Sequence, residues 1–150
     1  MKQPKLTIEL VPSTCWYSNL RSELTKSQWD KIRRQSYQAA GYLCEICGGK
    51  GKRHPVECHE IWRYDEENLI QKLIGVVSLC PDCHAVKHFG RAQVTGNDAR
   101  AKKHLCKVNG WSNSDADLYI EHVFEQWSNR SANIWDIDLS YLKKYNIVYD

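Results

Sequence analysis

Residues 5–11, Lys-Leu-Thr-Ile-Glu-Leu-Val, alternate apolar and polar side chains, with Leu6, Ile8 and Leu10 on one side. That two-residue period predicts a half-buried strand. A loop is expected over residues 12–17. The period then lengthens. Thr25 suits a helix N-cap, Gln28 closes a capping box three residues on, and Leu24 and Trp29 are placed as a hydrophobic staple. Trp29, Ile32, Ser36 and Ala40 follow at helical spacing, and Gly41 ends the helix in a left-handed cap. Residues 55–61 and 76–79 predict two short strands joined by a polar loop holding Trp62, Tyr64 and Asp65. Pro81 suits the first turn of a helix ending near Gly90. A further helix starts near Asn97 or Asp98, turns Ala101, Leu105 and Val108 one way, and stops at Gly110. The next begins at Ser114, carries Ala116, Ile120, Val123, Phe124 and Trp127 inward, and ends near Asn129. The tail, residues 134–149, is aromatic, with a short helix expected over 139–145. These aromatics read as core rather than as a stacking platform.

The resulting fold class is α+β and mostly helical. At 150 residues, 42% hydrophobic and with six tryptophans, the chain is long enough for one domain with a real core. Three parts are expected: residues 1–41 with the N-terminal strand and helix, 42–90 with two strands and a helix around the cysteines, and 91–150 as a helical extension. Four prolines and eight glycines leave no long low-complexity linker. A net charge of +3 does not by itself announce a nucleic-acid binder. Basic residues do cluster locally: Lys26, Lys31, Arg33 and Arg34; Lys50, Lys52, Arg53 and His54; and Arg100, Lys102, Lys103 and Lys107. Each cluster reads equally as a solvated face or a phosphate contact. No segment approaches the roughly 20 apolar residues of a membrane span, so a soluble, cytoplasmic protein is expected.

The seven cysteines sharpen this picture. Their number is odd, and Cys44-x-x-Cys47 with Cys80-x-x-Cys83 is the spacing of metal thiolates in a reducing compartment. Four thiolates suit a tetrahedral zinc, which is structural because every position is filled. Gly48, Gly49 and Gly51 let the backbone turn tightly beside the sulfurs. Cys15 and Cys106 are left over and read as small buried hydrophobes. Thiol exchange is a weaker reading of the Cys-x-x-Cys pairs, because histidines lie next to them.

Those histidines lie on the same helix as the second cysteine pair. His84 and His88 are four residues apart and project from one face, while Cys83 sits about 100° around from His84. One helix can therefore serve two sites. Cys58 and His59 are neighbours in a strand and must point to opposite sides, so one of them can join the two histidines.

The run from Cys44-x-x-Cys47 through Glu57-Cys58-His59-Glu60-Ile61 to Leu79-Cys-Pro-Asp-Cys-His-Ala-Val-Lys-His88 resembles the HNH endonuclease family, in the zinc-stapled form of small stand-alone bacterial and phage proteins. The resemblance covers about 45 residues. It implies a ββα-metal core around a four-cysteine zinc site, flanked by an N-terminal helix and C-terminal helices. It also implies a metal-dependent endonuclease hydrolysing DNA phosphodiester bonds. By position, His59 becomes the general base, and Cys58, His84 and His88 hold a second divalent metal. A thiolate with two imidazoles favours zinc there, with magnesium, manganese or nickel as alternatives. Arg63, Lys52, Arg53 and Lys87 are the candidate nucleic-acid contacts.

Two positions depart from the family pattern. Cys58 stands where an aspartate or histidine is usual, and Gly75 stands where an asparagine normally pins the loop carrying the base, with Asn68 and Gln71 nearby. These departures keep a second reading open: a non-catalytic, zinc-organised module that binds nucleic acid or a protein. A homodimer is compatible with either.

Overall fold

The computed structural model describes residues 3–15 and 20–148; positions 16 and 17 of the expected loop and 149 of the tail lie outside them. The first helices are α1, Leu20–Glu23, and α2, Lys26–Ala39. The capping box at the start of α2 forms as expected, with Gln28 N donating to Thr25 Oγ1 at 3.1 Å and Thr25 N to Gln28 Oε1 at 3.0 Å. Gly41, just past its end, has a φ of +63°. Leu24 and Ile32 are buried in one apolar cluster, with Trp29 packed against it.

The hairpin is longer than its sequence suggests. Strand β1, Glu57–Asp65, pairs antiparallel with β2, Ile70–Leu79, so Trp62, Tyr64 and Asp65 belong to the strand rather than to the connecting loop. Polarity hid this extension, because Arg63 and Asp65 read as loop residues although Arg63 alone of β1 is exposed. The turn itself is short. Asp65 Oδ1 accepts from Glu67 N and Asn68 N, and Leu69 takes a φ of +54°. The pairing register shifts between Ile61 and Trp62. A third strand, β3 at Asp136–Asp138, pairs parallel to β2 and was not legible in three residues of mixed polarity.

After β2 come α3, Pro81–Lys87; α4, Phe89–Val94; α5, Asp98–Asn109; and α6, Asn113–Ser131. The helix expected to reach Gly90 breaks at His88, whose φ of −97° and ψ of 49° leave the helical region before α4 restarts. At α6 the cap is Ser112 rather than Ser114, with Asp115 completing a capping box. Gly110 ends α5 with a φ of +66°. A 3-10 helix, Ser140–Tyr145, closes the described chain where a short helix was expected.

The N-terminal segment alternates as predicted, with Leu6 and Ile8 buried, yet it is not a strand. Its backbone is satisfied by side chains and by a helix end instead. The Asn109 carboxamide accepts from Leu6 N at 2.9 Å and donates to Leu6 O at 2.8 Å. Ile8 N donates to the Tyr119 hydroxyl at 3.0 Å, and Glu9 N to Lys87 O at 3.1 Å. Alternation predicts which face is buried but not which partner bonds the backbone.

Two apolar clusters form the core. The larger gathers Leu6, Val56, Leu79, Val86, Phe89 and Leu105 around the cysteines; the smaller gathers Ile32, Leu73, Leu142 and Tyr145. Strand β2 serves both, through Leu79 and Leu73. Among the described residues, no helix is long and apolar enough to cross a membrane.

Candidate metal centres and the adjoining cavity

Cys44, Cys47, Cys80 and Cys83 come together with their sulfurs within 4.8 Å of one another. Cys47 Sγ and Cys80 Sγ are 3.6 Å apart, far beyond a disulfide bond. That separation matches the edge of a sulfur tetrahedron, about 3.8 Å, around a zinc with Zn–S bonds of about 2.3 Å. The backbone is built for thiolates. Cys47 N points at Cys44 Sγ (3.5 Å), Gly49 N at Cys47 Sγ (3.4 Å) and Cys83 N at Cys80 Sγ (3.4 Å). Cys80 is also the N-cap of α3, where the helix dipole favours negative charge. Gly51 permits the packing of the knuckle against this helix, since a Cβ there would lie 2.4 Å from His54 O and 2.8 Å from the Pro81 ring.

Ionisation shows why a cation fits. Burial opposes the Cys44 thiolate, but the amides of Cys47, Cys80 and Ile46 outweigh it and bring that thiol down to about 7. Burial pushes Cys80 up to about 11. Cys83 is also raised, by burial first and then by repulsion from Cys44, Cys80 and Cys47. Four sulfurs, three of them in buried residues, resist sharing negative charge, and a dication removes that resistance. His104 adds a contact that the sequence did not signal: its Nε2 lies 3.1 Å from Cys83 Sγ, tying α5 to the cluster.

The second group is His59, His84 and His88, whose candidate ligand nitrogens also lie within 4.8 Å of one another. The ring centroids are 5.3 Å apart for His59 and His84, 5.1 Å for His59 and His88, and 4.7 Å for His84 and His88. His84 Nε2 and His88 Nε2 are 3.1 Å apart, a separation that two ligands of one ion reach at bond lengths of about 2.1 Å. The break at His88 therefore leaves the four-residue relationship intact.

Carboxylates hold the outer nitrogens of two of these rings. His84 Nδ1 is 3.0 Å from Glu57 Oε1, and Glu57 Oε2 is 3.0 Å from His54 Nε2. The hydrogen bond to His84 holds the Glu57 carboxyl down at about 2, so it is an acceptor and His84 Nδ1 carries the proton. His84 Nε2 is thereby free to bind. His59 Nε2 is 2.5 Å from Glu9 Oε2. Glu9 is in turn 3.5 Å from Lys87 Nζ, which also donates to Thr7 Oγ1 at 2.7 Å. Burial opposes the Glu9 carboxylate, but His59 and Lys87 hold it below the usual range. His59 Nε2 therefore carries a proton toward Glu9, and Nδ1 keeps its lone pair. Burial lowers His59, and burial with the neighbouring imidazoles brings His88 down to about 4. Both are neutral near pH 7 and able to accept a proton or a metal.

Cys58 does not join the histidines; the three imidazoles gather without it. It points to the opposite face of β1, where its neighbours include Ser36 and Tyr37 of α2, and burial pushes its thiol up to about 12. The assignment of Cys58 as a ligand is thus corrected by the strand alternation itself. Lys87 is corrected as well: it is 5% exposed and committed to Glu9 and Thr7, so it is not a surface phosphate contact. Lys52 and Arg53 lie exposed on the knuckle loop and do not line the cavity described below, whereas Arg63 does.

Neither residue considered as a substitute for the missing asparagine reaches His59. Gln71 bonds the Tyr64 hydroxyl and Asn68 bonds Asp65. The anchor is Glu9, fifty residues away in sequence, for which no local signal exists. Glu57 was legible in principle, because it lies two residues before His59 on the same face of β1. Of the basic clusters, much is neutralised internally. Asp30 pairs with Lys26, Arg33 and Arg34, Asp82 with Arg100, and Asp117 with Lys102.

Beside the histidines opens a cavity of about 680 Å³. His59, His84 and His88 line it together with Trp29, Trp62, Tyr64, Trp127, Arg63 and Arg91. The chain thus carries two clusters able to hold metal ions, a four-cysteine site and a three-histidine site, with a mixed polar and aromatic cavity against the second. No protein-family model, curated protein or solved structure matches the chain.

Proposed function

We propose that this protein is a metal-dependent phosphodiesterase of the HNH endonuclease type, acting on DNA. The observation that carries the reading is the convergence of three imidazoles, two of them fixed by carboxylates, in the lining of an arginine-bearing cavity. His84 and His88 would hold a divalent ion, and Cys44, Cys47, Cys80 and Cys83 would hold a structural zinc. When bound, the divalent ion supplies positive charge for the phosphate and the leaving oxygen. His59 accepts a proton at Nδ1 from the attacking water as the new P–O bond forms and the bond to the leaving sugar oxygen breaks. Glu9 keeps His59 in the tautomer that makes Nδ1 the acceptor and favours the imidazolium that results. Glu57 does the equivalent for His84, directing Nε2 inward.

The test is nicking of supercoiled plasmid with magnesium, manganese, nickel, cobalt or zinc. Wild type is expected to cut with at least one of these. His59→Ala should reduce the rate by about 10²–10⁴-fold while metal content and circular dichroism stay unchanged. A second reading, a non-catalytic zinc-organised module that binds nucleic acid or a protein, is favoured by one geometric fact. All three imidazoles can reach a single ion, which would take His59 out of service as a base. Tight metal binding at the histidines with no cleavage under any of the five metals would establish the module instead.

A further inference from the structure

We infer that the cavity beside the three histidines receives an unpaired nucleotide, so that the substrate is single-stranded or locally unpaired nucleic acid. The chemistry rests on the hydrolase reading above; the binding does not.

At about 680 Å³ the cavity falls within the size range of sites that enclose small organic groups, about 300–1,000 Å³. A base within a duplex cannot enter such a concavity without leaving its stack. The walls offer what an extruded base needs. Trp62 and Trp127 are half-buried, and each has its ring nitrogen committed to the protein, Trp62 Nε1 to Glu60 Oε2 at 3.2 Å and Trp127 Nε1 to Val11 O at 3.0 Å. The polar edges are used up. Trp62 also packs on the Leu73 cluster and Trp127 edge-on to Phe124, which brace each indole while its cavity-lining surface is offered for stacking.

Two further features favour a nucleotide over a neutral apolar ligand. Arg63 and Arg91 line the cavity, are exposed, and make no ion pair among the described residues, so both are available to phosphate. Gln71, also in the lining, is 1% exposed and donates through Nε2 to the Tyr64 hydroxyl at 3.3 Å, while its Oε1 has no partner. Exchanging the two ends of the amide would leave the nitrogen unpartnered instead, so one end of a buried carboxamide lacks a bond in either orientation. Buried polar atoms are rarely left so, and the edge of a base carries the donors and acceptors that match an amide.

The experiment uses the full chain with its zinc and no added divalent metal. Fluorescein-labelled oligonucleotides of one sequence are offered as a single strand, as a perfect duplex and as a duplex with a single-nucleotide bulge, and binding is read by anisotropy. The single strand and the bulged duplex are expected to bind at least about ten-fold more tightly than the perfect duplex. Trp62→Ala and Trp127→Ala should each weaken single-strand binding by roughly five- to one-hundred-fold and leave duplex binding nearly unchanged. Trp62→Phe should retain most of the affinity. Should either alanine variant lose its helical signal, quenching of wild-type tryptophan fluorescence by the unlabelled single strand decides, and no quenching overturns the proposal. Equal affinity for duplex and single strand also overturns it. Single-strand preference without cleavage under any metal removes the hydrolase reading alone, whereas duplex cleavage without that preference removes this inference alone.

Discussion

Glu9 Oε2 lies 2.5 Å from His59 Nε2, joining an N-terminal arm to the strand that carries the proposed base. The carboxylate is itself braced by Lys87, whose ammonium is buried 3.5 Å away. Buried Lys87 and His59 meet a Glu9 carboxylate that is partly exposed, and the three together orient the imidazole. Glu9→Gln is expected to lower activity, or cobalt affinity at the histidines, by about ten- to one-hundred-fold. The melting temperature should change little beside that loss. Full activity in Glu9→Gln would reduce Glu9 to packing.

Asn109 makes two of the hydrogen bonds that hold the arm in place. Asn109→Leu removes both hydrogen bonds to Leu6 and leaves the buried backbone groups unpaired, which should cost about 1–3 kcal/mol. For a chain of this size that is about 2–4 °C per kcal/mol in melting temperature. Because Glu9 lies three residues beyond Leu6 and orients His59, the variant should also slow plasmid nicking, an effect outside the contact removed. Calorimetry and the nicking assay read the two effects, and lost stability with an unchanged nicking rate would uncouple the arm from the site.

The two metal clusters should separate under chelation. The histidine site, with neutral ligands and a cavity beside it, is expected to lose its ion first, with little change in far-ultraviolet circular dichroism. The thiolate site should yield only under harsher treatment, and its loss should abolish the near-ultraviolet tryptophan signal, because Cys44, Cys80 and Cys83 belong to the main apolar cluster. Elemental analysis of the native protein should give about two ions per chain. Simultaneous release of both would show that the sites are not independent.

Cys58 supplies a prediction about alkaline pH. Its thiol is raised from an ordinary 9.0 to about 12 by burial. A group raised in this way binds its proton more tightly in the folded state. Its stabilising contribution is therefore complete below pH 9 and is lost as pH rises toward 12. Cys58→Ala should remove that part of the alkaline decline, measured as the difference in unfolding free energy between the two proteins across the window. In wild type at pH 8, Cys58 should resist iodoacetamide, and rapid labelling would show the thiol to be accessible.

Much of this site was legible because it obeys local periodicities. The spacing of Cys44 with Cys47 and of Cys80 with Cys83 predicted the thiolate cluster, and the i, i+4 relation of His84 and His88 survived a break in the helix that carries them. Strand alternation already required Cys58 and His59 to diverge. Transfer by position from a resembling family assigned Cys58 a role that alternation denies it once His59 faces the histidines. What stayed hidden depends on contacts distant in sequence. Glu9 reads locally as one polar position in an alternating run, and Lys87 as one more surface cation; only the packed structure turns them toward each other. The N-terminal arm looked like a strand because burial, not pairing, sets the alternation of side chains.

The arm's anchoring has a consequence in time. Glu9 is made well before groups that seat its segment, since Asn109 and Tyr119 follow Leu6 and Ile8 by 103 and 111 positions. Until helices α5 and α6 have emerged and packed, the contacts with Lys87 and His59 alone hold the carboxylate. The histidines and cysteines can assemble earlier, since they span only residues 44–88. Nascent chains could thus gather these candidate metal ligands before the segment carrying Glu9 is fully seated beside His59.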